Sequence, residues 1–123
     1  MARILIADDD ADYRRAFTAG MTALGHDVVS VTSGSSVPDA LNAAPDGFDV
    51  VFLDIMMPDG GGATALHHVK SFDPDLPAVI ITGRAELFDS PIFKRGFTTA
   101  EARIKKTVSL AELDTLVRDI LGI

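Results

Sequence analysis

Five short runs of apolar residues recur along the chain, and stretches with helical periodicity separate them. The runs cover residues 4–7, 28–31, 50–53, 78–81 and, more weakly, 102–104. Their β-branched composition predicts strands. Three of the runs are nearly continuously apolar rather than alternating. This pattern is typical of parallel strands that are covered on both faces.

The stretches between these runs predict helices, both by the spacing of their apolar positions and by the residues at their ends. They cover about residues 13–24, 36–44, 63–71 and 110–120. The last of them begins with a capping-box sequence, SLAE. Pro91 interrupts the segment before the fifth run. We therefore expect a short, broken or displaced fourth helix there.

Strand and helix thus alternate five times, which predicts an α/β fold. Right-handed crossovers then produce a doubly wound, five-stranded parallel sheet with helices on both faces. With 123 residues the chain has room for one domain, so we expect a single domain over residues 1–123. In open sheets of this kind ligands bind at the carboxyl ends of the strands, where the strand order reverses.

Composition excludes several classes of protein. The chain has no cysteine, which excludes a disulfide scaffold and a thiolate zinc site. Its net charge of -7 repels phosphate backbones and anionic membranes, so direct binding of nucleic acid is not expected. No apolar run approaches the roughly 18 residues of a membrane span, and the N-terminus does not resemble a signal peptide. We expect a cytoplasmic protein.

The negative charge is concentrated in the first half of the chain. Residues 1–60 contain ten acidic and three basic residues, whereas the remainder contains eight of each. Three aspartates, 8–10, follow the first predicted strand, and Asp54 follows the third. Thr82 follows the fourth strand, and lysines 105–106 follow the fifth. These polar side chains are therefore expected to converge on one edge of the sheet.

Carboxylates that converge in this way repel one another, and either protonation or a hard divalent cation relieves the repulsion. Mg²⁺ fits because it takes one or two carboxylates and accepts phosphate oxygens. A carboxylate beside Mg²⁺ can attack a phosphoryl group, and a lysine and a threonine can stabilise the transferred charge. The alternative is that such aspartates only cap helices and line solvated turns, which we expect for Asp10 and Asp12.

Four motifs in this order and spacing closely resemble the receiver domain of two-component response regulators, the CheY-like superfamily, over essentially the whole chain. They are ILIADDD (4–10), VFLDIMMP (51–58), VIIT (79–82) and Lys106 ahead of Ser109. The resemblance implies a flavodoxin-like sheet in the order 2-1-3-4-5. It also implies phosphorylation on an aspartate by a histidine kinase or a histidine phosphotransfer protein. Slow autodephosphorylation and output through contact with an unidentified partner protein would follow.

The resemblance also implies roles for particular residues. Asp54 matches the phosphoryl acceptor, and Asp8 and Asp9 match the acidic pair that holds Mg²⁺. Asp9 would be a direct ligand, whereas Asp8 would act through water. The third metal ligand of the family is a backbone carbonyl two residues after the acceptor, which here belongs to Met56.

The hydroxyl and lysine positions of the family are also present. Thr82 matches the hydroxyl residue that moves toward the phosphoryl group, and Gly62 matches the glycine after the Met-Pro motif. Lys106 matches the lysine that pairs with the phosphoryl group. Because neighbouring residues of a strand face opposite sides, only one of Lys105 and Lys106 can reach the site, and we predict Lys106.

The sequence departs from the family pattern in and around the fifth strand. Thr107 replaces the usual proline after the lysine, so this peptide bond can be trans. Arg103 stands where the family commonly has Tyr or Phe. Thr82 and Lys106 are 24 positions apart, about two more than the family shows. A basic cluster therefore lies on a reshaped face, either as a dock for an acidic partner or as a solvated surface: Lys94, Arg95, Arg103 and Lys105.

Alternative functions differ in what they require of these residues. A degenerate receiver that binds partners without phosphorylation would account for Thr107 and Arg103. A haloacid-dehalogenase-like phosphohydrolase would need a second aspartate where Met56 stands. A flavodoxin-like FMN protein would need a phosphate loop after the first strand, and none is present. No dedicated enzyme activity is expected beyond self-phosphorylation from a donor and slow loss of the phosphoryl group.

Overall fold

The computed structural model describes residues 1–57 and 61–123. Its strands are β1 (Arg3–Ala7), β2 (Asp27–Val31), β3 (Val50–Asp54), β4 (Ala78–Thr82) and β5 (Ala102–Lys105). Its α-helices are α1 (Ala11–Ala23), α2 (Val37–Ala43), α3 (Gly61–Phe72), α4 (Pro91–Gly96) and α5 (Leu110–Leu121). The longest helix of the described residues, α1, has 13 residues, and none of these helices is long and apolar enough to cross a membrane.

The five strands form one parallel sheet in the order β2-β1-β3-β4-β5. The predicted fold is therefore confirmed. The chain leaves β1 toward one edge of the sheet and returns to the other side of β1 as β3, so the strand order reverses between these two strands. Ala7 pairs with Leu53 in the register of β1 and β3, which brings the carboxyl ends of both strands to the same point.

Apolar side chains cover the sheet on both faces. Alternate residues of β1 and β3 pack under α1 and α5 on one face and under α2 and α3 on the other. Every residue of β3 and β4 is buried. This two-sided burial is the reason that these strands are continuously apolar.

The ends of α1 and α5 follow the signals in the sequence. The side chain of Asp10 accepts hydrogen bonds from the backbone N–H groups of Asp12 and Tyr13, which makes it the N-cap of α1. Gly25, with φ of 94°, follows the helix in the left-handed region that glycine adopts without strain. Ser109 caps α5 by accepting from the N–H of Glu112.

The fourth helix is short, as predicted. A 3₁₀ helix, Ala85–Asp89, precedes the six-residue α4. Pro91 begins α4 rather than interrupting it, because the first helical position needs no backbone N–H donor.

A buried histidine joins the start of the sheet to α5. Nδ1 of His26 accepts a hydrogen bond of 3.0 Å from the backbone N–H of Ala2, so Nε2 carries the ring proton. That nitrogen lies 2.6 Å from Oδ1 of Asp114 in α5. The sequence carried no signal for this contact, because 88 residues separate the two side chains.

Candidate functional site

An acidic cluster forms where β1 and β3 end side by side. Asp8 follows β1 directly, and Asp54 is the last residue of β3. One carboxylate oxygen from each of Asp8, Asp9 and Asp54 lies within 4.8 Å of the others. Asp8 and Asp54 are buried, whereas Asp9 is exposed. The predicted convergence of these carboxylates is therefore present in the fold.

The backbone around Asp8 holds its carboxylate in place. Its N–H donates to the carbonyl of Val31 at 3.1 Å, which extends the β1–β2 ladder by one residue. Its Oδ1 accepts from the N–H of Asp10 at 2.9 Å. The guanidinium of Arg14 donates to the carbonyl of Asp8 at 2.7 Å. Together these contacts fix the turn between β1 and α1.

Lys106 supplies a positive charge at this cluster. Its backbone N–H donates to the carbonyl of Thr82 at 2.8 Å, just beyond the end of β5. Its Nζ lies 2.7 Å from Oδ2 of Asp8 and 3.4 Å from Oδ2 of Asp54. The side chain of Lys105, in contrast, is exposed at the end of β5. Of the two lysines, Lys106 is the one that reaches the carboxylates.

Thr82 and Met56 lie beside the cluster in different ways. Thr82 is buried at the end of β4, next to β3, and its Oγ1 accepts from the N–H of Arg84 at 2.9 Å. The N–H of Met56 donates to Oδ1 of Asp54 at 3.4 Å, while the Met56 side chain is exposed. Residue 56 therefore contributes to the site through its backbone.

Burial and like charge dominate the electrostatics of the cluster. Burial of Asp54 and the neighbouring charge of Asp8 raise the pKa of Asp54 to about 7, although Lys106 opposes this shift. Burial acts to lower the pKa of Lys106, but the contacts with Asp8 and Asp54 outweigh it and the pKa is raised. The lysine thus remains an ammonium group. Its single positive charge balances only part of the negative charge that the three carboxylates carry when they are ionised.

The donor atoms of the cluster suit a hard dication. Carboxylate oxygens are ligands that Mg²⁺ takes, and it keeps several waters besides. The pKa of Asp54 is raised first by burial and then by the charge of Asp8, and a bound dication would offset both effects because it favours the ionised carboxylate. The residues at the site therefore fit Mg²⁺.

Two glycines allow the chain to pass close behind Asp54. A Cβ on Gly62 would lie 2.6 Å from the Asp54 carbonyl oxygen, so no other residue fits there without a backbone shift. Gly61 adopts a φ of 64°, in the left-handed region. Pro58, the last residue of the motif VFLDIMMP, lies outside the described residues.

Sequence reasoning missed the closeness of Tyr13 to the site, because a place in the predicted helix over about residues 13–24 is equally typical of a residue that packs in the core. Nζ of Lys106 lies 4.9 Å from the centroid of the Tyr13 ring. Burial, together with the charges of Asp8 and Asp54, raises the pKa of Tyr13 to about 12. The one sequence feature that could have indicated this closeness is the position of Tyr13 in the first turn of α1, shortly after Asp8 and Asp9.

The departures in the fifth strand have simple structural consequences. No cis peptide bond occurs in the described ranges, so the bond between Lys106 and Thr107 is trans. Arg103 is exposed, and its guanidinium donates to the carbonyl of Phe97 at 3.3 Å. His67 and His68 are exposed on α3 and take no part in the site.

A comparison with protein families identifies the family to which this chain belongs. Residues 4–118 match the family described as the response regulator receiver domain. The chain belongs to this family. Receiver domains take phosphoryl groups from histidine kinases, bind Mg²⁺ at an acidic pocket and act on output partners.

Relatives of this receiver domain include both short and long proteins. It is 34% identical over 91 residues to the response regulator receiver protein CpdR of Brucella abortus, and the match covers 74% of each chain. It is 29% identical over 122 residues to the DNA-binding transcriptional regulator NtrC of Azospirillum brasilense. That match covers 98% of this chain and 24% of NtrC, so the receiver domain spans about a quarter of that relative.

Solved structures share the fold of the receiver domain closely. The response regulator TrrA from Thermotoga maritima, in complex with Mg²⁺-BeF, superposes with a TM-score of 0.85 at 21% identity and covers 98% of this chain and 100% of that chain. NtrX from Brucella abortus superposes with a TM-score of 0.85 at 26% identity, covering 98% of this chain and 27% of that one.

Proposed function

We propose that this receiver domain is a phosphoryl-accepting switch of a two-component phosphorelay. A histidine kinase or a histidine phosphotransfer protein would transfer the phosphoryl group to Asp54, with Mg²⁺ as the cofactor. The output would be contact with a partner protein. The observation that carries the proposal is the Lys106 ammonium 3.4 Å from Asp54, at a cluster that also contains Asp8 and Asp9.

In the proposed transfer, an Oδ of Asp54 attacks the phosphorus atom of a phosphohistidine. The Oδ–P bond forms while the N–P bond breaks, and the imidazole nitrogen keeps the electron pair of that bond. The attack requires the ionised carboxylate, and a nearby positive charge favours this form. No separate general base is needed, because the nucleophile carries no proton in this form.

Charge that develops on the phosphoryl oxygens needs positive or donating partners. Lys106 is placed to provide an ammonium group, since its Nζ already contacts the acceptor carboxylate. Thr82 would provide its hydroxyl after turning away from the Arg84 N–H. Asp8, Asp9, Asp54 and the carbonyl of Met56 would hold Mg²⁺, which supplies charge neutralisation when bound.

Relatives support this proposal by their described properties. TrrA, which shares the fold, is described in complex with Mg²⁺-BeF. CpdR, which is similar in sequence over most of its length, is a response regulator receiver protein. The relatives that bind DNA are much longer than this chain, so contact with a protein is the output that we propose for the receiver domain itself.

Intact-mass measurement after treatment with acetyl phosphate and Mg²⁺ tests the proposal. We expect the wild-type chain to gain one phosphoryl group and Asp54→Asn to gain none. Asp10→Asn is the matched control, because Asp10 neighbours the cluster but caps α1, and we expect it to be phosphorylated. A wild-type chain that gains no phosphoryl group at any Mg²⁺ concentration would favour a binding module that works without phosphorylation.

A further inference from the structure

Lys106 has an aromatic neighbour as well as two carboxylates. Its Nζ lies 4.9 Å from the centroid of the Tyr13 ring, within the distance at which a ring attracts an ammonium group. Only 16% of the Lys106 side chain is exposed, so solvent weakens this attraction little. The contact therefore adds a third attractive partner to the lysine.

The Tyr13 ring is tied to the strand that carries the acceptor. It packs on Phe17, with ring centroids 6.1 Å apart, and Phe17 meets Phe52 edge-on at 5.0 Å. Phe52 lies on β3, two residues before Asp54. The three rings therefore set the position of Tyr13 relative to the acceptor carboxylate, and with it the position of the lysine.

The lysine needs such a partner because its stem is long and flexible. Its two carboxylate partners, Asp8 and Asp54, are also the groups that would bind a dication and accept the phosphoryl group. A ring face is electrically neutral overall and takes part in neither event. It can therefore retain the ammonium group while the charge on the carboxylates changes.

We infer that Tyr13 is a positioning residue, whose ring face holds the Lys106 ammonium at the acidic cluster for contact with the phosphoryl group. This inference rests on the function proposed above. The ring carries the effect, rather than the hydroxyl. The phenol oxygen is buried and has no hydrogen-bond partner in the described part of the chain.

Two substitutions separate the ring from the hydroxyl. Tyr13→Phe removes the hydroxyl and keeps an aromatic face, whereas Tyr13→Leu removes the face and keeps an apolar side chain. With acetyl phosphate and Mg²⁺, we expect Tyr13→Leu to slow phosphorylation about three- to tenfold. We expect Tyr13→Phe to stay within about twofold of the wild type. Thermal unfolding of each variant shows whether it is folded.

Leu110→Ala is the control for general loss of packing. Leu110 lines the same groove of about 220 Å³ as Tyr13 and Lys106, and it is partly exposed at the start of α5. We expect this variant to be phosphorylated at the wild-type rate. In a Lys106→Met background, Tyr13→Leu should have no further effect, because the ring then has no ammonium group to hold.

NMR spectroscopy tests the contact without any variant. The ε-methylene protons of Lys106 should be shifted upfield by the Tyr13 ring, relative to those of the exposed Lys105. The upfield shift should persist in Tyr13→Phe and disappear in Tyr13→Leu. Absence of the shift in the wild-type protein would overturn the inference, whether or not Tyr13→Leu folds.

The kinetic outcomes also decide the inference. Equal rates for the wild type and Tyr13→Leu overturn it, as does an equal loss in Tyr13→Phe and Tyr13→Leu. A loss in Leu110→Ala as large as that in Tyr13→Leu would assign the effect to packing. If the wild-type protein itself accepts no phosphoryl group, the proposed function fails. If the wild type and Tyr13→Leu are phosphorylated at equal rates, the proposed function stands and only the role of Tyr13 fails.

Discussion

Nζ of Lys106 lies 2.7 Å from Oδ2 of Asp8, closer than to Oδ2 of Asp54, the proposed phosphoryl acceptor, at 3.4 Å. The lysine is therefore the counter-ion both of Asp8, which we propose as a metal ligand, and of Asp54, which we propose as the acceptor. Two cations would share the same carboxylates once Mg²⁺ is bound. Binding of the dication must work against the lysine, whereas the phosphoryl group would benefit from both.

Removing the lysine charge should strengthen Mg²⁺ binding. We expect Lys106→Met to lower the Kd for Mg²⁺ by up to about tenfold, because a competing charge beside Asp8 is removed. The same variant should be phosphorylated more slowly, because a partner of the phosphoryl oxygens is lost. A Mg²⁺ titration monitored by Tyr13 fluorescence measures the Kd, since the chain has one tyrosine and no tryptophan.

Lys105→Met provides the matched control for this experiment. It removes the same charge from the neighbouring residue, whose side chain is exposed. Its Kd for Mg²⁺ should stay near the wild-type value. Weaker Mg²⁺ binding in Lys106→Met would contradict the prediction, because it would mean that the lysine supports the metal site.

Asp9 and Asp10 should differ in their effects on the metal and on stability. Asp9→Ala should weaken Mg²⁺ binding strongly, because it removes one of the three clustered carboxylates. Asp10→Ala should leave Mg²⁺ binding nearly unchanged but lower the free energy of unfolding by about 1 kcal/mol, because it removes the N-cap of α1. Mg²⁺ titration and urea denaturation measure the two effects, and equal losses of Mg²⁺ affinity would reassign the ligands.

Adding one methyl group behind Asp54 should destabilise the domain. Gly62→Ala places a Cβ 2.6 Å from the carbonyl oxygen of Asp54, so the backbone must move. We expect the free energy of unfolding to fall by about 1–3 kcal/mol. Gly96→Ala is the control, because its Cβ would lie 3.6 Å from the Cβ of Ala63, an ordinary contact. Equal stability of the two variants in chemical denaturation would contradict this packing argument.

Without Mg²⁺, ionisation of Asp54 should cost stability as the pH rises. The pKa of Asp54 is raised to about 7 in the folded chain, well above its ordinary value of 3.8, so the folded state binds the proton more tightly. Below about pH 4 the carboxyl group is protonated in both the folded and the unfolded chain, so its ionisation does not affect stability. Between about pH 4 and pH 7 the free energy of unfolding falls, because the unfolded chain can ionise Asp54 more easily than the folded chain. Asp54→Asn should therefore stabilise the protein by up to about 4 kcal/mol at pH 8 and by little at pH 4.

Urea denaturation with a chelator at both pH values measures this difference. Asp75→Asn, an exposed position before β4, is the control and should show no comparable pH dependence. Addition of Mg²⁺ should reduce the advantage of Asp54→Asn at pH 8, because a cation offsets the charge of the ionised carboxylate. An advantage that is the same at pH 4 and pH 8 would show that the carboxyl group ionises normally.

The fold was predictable because its signals are local and repeated. Continuous apolar runs identify strands that are buried on both faces, and the ends of α1 and α5 are marked by Asp10 and Ser109. The position of α4 was less predictable. Pro91 can interrupt a helix or begin one, and the choice depends on the 3₁₀ turn that precedes it.

The candidate site was predictable as a set of residues but not as a geometry. Because parallel strands end at one edge of the sheet, the residues that follow β1 and β3 had to meet there. That Lys106 lies nearer to Asp8 than to Asp54 depends on side-chain conformations that no spacing encodes. The same is true of the Tyr13 ring, whose helical position alone is also compatible with burial in the core.

By itself, the sequence determined the order of strands and helices along the chain, the residues at the strand ends and the excess of negative charge in residues 1–60. These features follow from patterns over a few neighbouring residues. Only the tertiary structure decided which groups touch, such as Lys106 with Asp8 and Tyr13, or His26 with Asp114. Such contacts join distant parts of the chain, so they depend on how the packed elements orient each side chain and not on local sequence.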